Sequence, residues 1–149
     1  MAELEVGSAR SLTDTDRRSW RLSLAIVPEQ VSDDAARLPI SEIAAFLQEH
    51  LGQRMTGYIG GVTDPKMVSR WIARQNAPRD EAQRRLREGY QAVRLLVSAY
   101  GDETAKAWLF GSNTRLDDQA PAYVLRHASS WEDMRFVVPA ARAFAGAAG

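Results

Sequence analysis

Cysteine is missing from all 149 positions, which excludes disulfides, thiolate metal sites and thiol nucleophiles together. No uncharged apolar run reaches the roughly eighteen residues of a membrane span, so no membrane association is expected. Met1–Arg10 has no basic start leading into an apolar stretch, so it does not read as a secretory signal. The expected compartment is the cytoplasm. Histidine occurs only at His50 and His127, in separate segments with no second ligand at metal-binding spacing, whereas a zinc site needs three or four ligands. A phosphate-cradling glycine loop and a nucleophile motif are also absent. The paired carboxylates Asp117-Asp118 read as turn or capping residues. The chain is therefore not expected to be an enzyme: no catalytic residue, metal or small-molecule cofactor is assigned.

Net charge is lacking as well, since 19 Lys and Arg balance 19 Asp and Glu. A balanced total argues against a polyanion binder unless the charges are segregated, and here they are. Residues 1–53 carry five basic and nine acidic side chains. Residues 54–94 carry nine basic (Arg54, Lys66, Arg70, Arg74, Arg79, Arg84, Arg85, Arg87 and Arg94) against four acidic. Residues 95–149 carry five against six. A basic middle between acidic flanks is the electrostatic footprint of a nucleic-acid binder, or else an arginine-rich solvated helix face.

What remains is mostly helical periodicity. Residues 1–19 are polar and aperiodic. Trp20, Leu22, Leu24 and Ile26 alternate with Arg21, Ser23 and Ala25, the period of a half-buried strand or an extended arm. Residues 29–40 read as loop with a short turn near Asp33–Arg37. From Ser41, a candidate N-cap, Ile43, Ala44, Phe46, Leu47 and Leu51 recur at helical spacing. Further helices are expected over 51–59, from a Thr63 cap to Arg74 with Pro65 in the first turn, over 79–100, 102–110 and 120–127, and from Trp131 to Phe144. For the last, Ser130 with Asp133 resembles a capping box, and Pro139 is expected to kink or split it. The fold class is all-α: an arm over 1–40 that includes the short strand, a helix-turn-helix region over 41–78, and a small helical C-terminal region over 79–149.

The informative segment is Leu51–Arg74. Two helices crossing steeply need a small residue where they touch and a glycine in the turn. Gly57 and Gly60-Gly61 meet both needs. Val68 with Trp71 or Ile72 would anchor the second helix, and Trp71 is read as core. The other face then presents Lys66, Ser69 and Arg70, with Thr63 at the tip. A helix so placed lies in the major groove of double-stranded DNA with its first residues at base edges. Arg70 suits bidentate contact with guanine. Lys66 and Thr63 suit phosphates or bases, and Arg54, Arg74, Arg84 and Arg85 suit the backbone.

Gly61-Val62-Thr63 followed by Val68-Ser69-Arg70-Trp71 resembles the Xre-type helix-turn-helix, with one extra residue between glycine and tryptophan. Ala105-Lys106-Ala107-Trp108-Leu109, Asn113, Leu116, Asp117-Asp118 and Pro121 resemble the toxin-binding domain of Xre/MbcA/ParS-type antitoxins. Ser112 and Asp118 stand where that family usually has proline and glycine. The resemblance spans about residues 42–145. It implies a homodimeric autoregulator that binds operator DNA and covers a RES-domain toxin with its C-terminal helices. On this chain the covering surface would be Trp131, Arg135 and Arg142. Trp108 reads as core and Asn113 as a loop residue bonding backbone. Two alternatives stay open: a stand-alone regulator whose C-terminal region only dimerises it, and an interaction module that binds no DNA.

Overall fold

A computed structural model describes residues 27–146. The alternating segment at 20–26 lies outside them. Within the described residues the fold is all-α, with no strand and a single isolated bridge between Asn113 and Gln119. No helix among them is long and apolar enough to cross a membrane.

The chain opens with α1, Pro28–Arg37, where a loop with one short turn was expected. Pro28 sits in its first turn, where its missing amide costs nothing. Only Val31 and Ala35 are buried, a spacing of four that places both on one face. Two apolar anchors in ten residues are too few for a periodicity signal. The helix is held from outside instead: Arg87 donates to the Ala35 and Leu38 carbonyls at 2.7 and 2.8 Å, and Arg94 pairs with Asp34.

α2 runs Ile40–Leu51 and α3 runs Gln53–Gly60, separated by Gly52 at φ 91°. Ser41 is not a cap. It lies buried inside α2 and its Oγ accepts from Arg74 Nε at 3.1 Å. α4 spans only Lys66–Ile72, shorter than the expected helix, because Thr63 does not cap it. Asp64 Oδ1 accepts the Lys66 amide at 3.0 Å instead, holding the chain in a turn until Pro65.

α5, Asp80–Tyr100, and α6, Asp102–Phe110, meet at Gly101, φ 94°. α5 is 21 residues long, about 31 Å at 1.5 Å per residue. It packs against α1, α2, α3, α6, α7 and α9. Beyond a 3₁₀ turn at Thr114–Leu116, α7 covers Pro121–His127. The expected final helix is two: α8, Trp131–Met134, and α9, Val137–Gly146. The break falls at Arg135-Phe136, before Pro139. Pro139 occupies the third position of α9, where an N–H would find no intrahelical acceptor and its lack costs no bond. Ser130 makes no side-chain cap. Asp133 Oδ2 accepts from the Ser129 amide and hydroxyl at 3.0 and 3.1 Å, and these bonds lower its pKa. Apolar side chains from both sides of position 78, among them Ile43, Leu47, Trp71, Leu86, Leu96 and Val137, form one continuous core.

Candidate functional site

The α3–α4 junction is built on small residues. A Cβ placed on Gly57 would meet Pro65 Cα and Val62 Cγ2 at 3.4 Å and Val68 Cγ2 at 3.6 Å. The chain after the turn therefore lies directly against α3. Gly61 is left-handed at φ 88°, a region that glycine enters without steric cost. Its amide bonds the Gly57 and Tyr58 carbonyls at 3.0 Å each, and the Val62 amide returns to Gly57 at 3.1 Å. Together these form a Schellman-type stop. α4 then buries Val68 completely and leaves Trp71 2 % exposed, with the far edge of the indole against Gly60.

Burying positions 68 and 71 turns the rest of α4 to solvent. Thr63, Lys66, Ser69 and Arg70 are all exposed. Among the described residues Arg70 has one side-chain approach, Nη1 to Met67 Sδ at 3.6 Å. Ser69 is braced from α3, its Oγ accepting from Gln53 Nε2 at 2.6 Å. Gln53 was not singled out from sequence, because a helix-opening glutamine carries no signal of its own. Arg54, next to it, is exposed. Five of the eight expected DNA-contacting residues, Arg54, Thr63, Lys66, Ser69 and Arg70, thus belong to the α3–α4 unit and face solvent.

The other three are placed differently. Arg74 is exposed but sits at φ 63°, with its Nε given to Ser41, so its remaining nitrogens alone can reach a ligand. Arg84 lines a groove of about 230 Å³ between α1, α5 and α8, which Trp131 also lines, and does not join the α4 face. Arg85 turns inward. It donates to the Ala128 and Gly60 carbonyls at 2.9 and 3.1 Å and lies 3.5 Å from Glu81. Its expected role on phosphate is replaced by a structural one, because the turn leaves a carbonyl that needs a donor.

At the C-terminal end Trp131 is 55 % and Phe136 is 56 % exposed. Arg135 stacks 4.6 Å over the Phe136 ring and pairs with Glu132 at 2.7 Å. Arg142 is exposed on α9. Trp108 is 9 % exposed and Asn113 Oδ1 accepts the Arg115 amide at 2.9 Å, as read from sequence. Asp117 and Asp118 both adopt positive φ, 57° and 64°, in the turn that follows. His50 has a carboxylate neighbour that its sequence surroundings did not reveal: Asp102, at 2.8 Å across 52 residues. His127 Nδ1 lies 3.0 Å from the Tyr123 carbonyl. Among the described residues no three His, Cys, Asp or Glu side chains gather as metal ligands.

No protein-family model, curated protein or solved structure matches the chain.

Proposed function

We propose that this chain is a cytoplasmic, homodimeric DNA-binding regulator that reads double-stranded DNA with α4. The observation that carries the reading is the division of α4 into a buried side, Val68 and Trp71, and a solvent side, Lys66, Ser69 and Arg70. A helix about 10–12 Å across suits the roughly 12 Å major groove. Its exposed residues are a hydroxyl, an ammonium and a guanidinium, the groups that pair with phosphates and with guanine edges. Ser69 and Gln53 hold each other, so the reading surface includes the start of α3.

The resemblance to Xre-type antitoxins extends the proposal to a partner, a RES-type toxin bound through the C-terminal helices. Supporting it is the exposure of Trp131 and Phe136, since aromatic side chains left to solvent near arginine favour protein contacts. In this reading the chain has no catalytic role. A gel shift with the full chain on its own upstream DNA against scrambled competitor tests the first part. Retained complex on the upstream duplex supports it, and equal competition by the scrambled duplex overturns it. Co-expression with the product of the adjacent reading frame tests the second part, and failure to co-purify removes the toxin claim while leaving the DNA claim standing.

A further inference from the structure

Carbonyls of the α3–α4 turn accept from donors far along the chain, Tyr58 in addition to its bond from the Gly61 amide. Arg126, in the last turn of α7, donates through Nη1 to the Tyr58 carbonyl at 2.9 Å and reaches the Val62 carbonyl at 3.4 Å. Its guanidinium also lies 4.7 Å over the Tyr58 ring. Arg85, from α5, spans the Gly60 and Ala128 carbonyls, tying the turn to the residue that follows α7. A Cβ on Gly61 would come within 2.6 Å of Arg85 Nη1, so a side chain there would displace the guanidinium from the turn. Three carbonyls within five residues, at 58, 60 and 62, are thereby held by two arginines from outside the helix-turn-helix.

We infer that Arg126 and Arg85 are positioning residues for DNA reading: they clamp the turn and set the direction in which α4 projects. The inference rests on the reading of α4 as the DNA-contacting helix. Arg126 Nη1 and Arg85 Nε and Nη1 are committed to carbonyls while they serve the turn. The clamp thus acts on specificity, which depends on base-edge geometry, and not on the phosphate attraction that all duplexes share. It also makes α7 part of the reading unit, although the sequence places α7 in a separate region.

The test uses the full chain carrying Arg126→Ala, titrated by fluorescence anisotropy against a specific and a scrambled duplex at several salt concentrations. Specific affinity is expected to fall about tenfold, the scale of one lost base contact. Scrambled affinity and the slope of log K against log salt are expected to stay as in the wild type. A slope shallower by about 0.9 would mean that Arg126 itself meets a phosphate, and this overturns the inference, as does unchanged specificity in a folded variant. If Arg126→Ala does not fold, Arg126→Lys keeps the charge and one carbonyl contact. An intermediate loss of specificity is then expected, and wild-type behaviour overturns the clamp. Hydrogen exchange at the Gly61 and Val62 amides reads the clamp without DNA: faster exchange in the variant supports it and unchanged exchange overturns it. A wild type that binds no duplex refutes the DNA reading alone, because the exchange arm still judges the clamp.

Discussion

Arg70 stands on the solvent side of α4, its side chain near Met67 Sδ, so removing it leaves the core untouched. Arg70→Ala is expected to keep the wild-type thermal midpoint while weakening specific DNA binding by about 1–3 kcal/mol, the cost of one bidentate guanine contact. Anisotropy on the same duplex, beside a thermal melt, checks both halves. Glu88 tests a different property. It lies in the groove beside Ser32, Ala35, Trp131 and Met134, and burial raises its carboxyl from 4.5 to about 7. The fold therefore disfavours the ionised form. Its contribution to stability is full below about 4.5 and declines as pH rises toward 7. Glu88→Gln is accordingly expected to raise the melting temperature at pH 8 and to change it little at pH 4.5. Equal effects at both pH values would show that the carboxyl is not desolvated.

The helix-turn-helix stands or falls on how closely α3 and the chain entering α4 approach, and Gly57 sets that distance. Gly57→Leu would drive a branched side chain into Pro65, Val62 and Val68. Overpacking of this kind costs about 1–3 kcal/mol, read as a lower denaturation midpoint. Because the displaced element is α4, specific binding is expected to fall along with stability. These elements were readable from sequence where local chemistry decides them. Pro78 and Gly101 bracket α5, and Gly60-Gly61 marks the turn. Where tertiary contacts decide, local signals failed. α1 is held by Arg87 and Arg94 from α5, a Ser41 suited to capping is instead buried against Arg74, and the last helix breaks before its proline. On the candidate site, the outward positions of Lys66, Ser69 and Arg70 followed from helical spacing. The inward turn of Arg85, and the part played by Arg126, depend on carbonyls 25 to 68 residues distant, which no local pattern encodes.

Across the whole molecule, charge is balanced in total and divided along the sequence. Of the nine basic residues between 54 and 94, Arg85, Arg87 and Arg94 bond inward, so part of the basic surplus is structural. The α3–α4 side keeps Arg54, Lys66 and Arg70, with Arg74 partly engaged. The continuous core and the arginines from α5 and α7 make the described helices one mechanical unit carrying this face. If Arg54, Lys66 and Arg74 meet phosphates while Arg70 meets a base, counterion release sets the salt response. The decisive measurement is the affinity of the full chain for its specific duplex between 50 and 200 mM salt. The predicted slope of log K against log salt is about −2.7 for one chain and about −5.4 for a pair, with the specific duplex preferred over a scrambled one throughout. A flat response, or no duplex bound at any salt, would contradict the assignment of α4 to DNA.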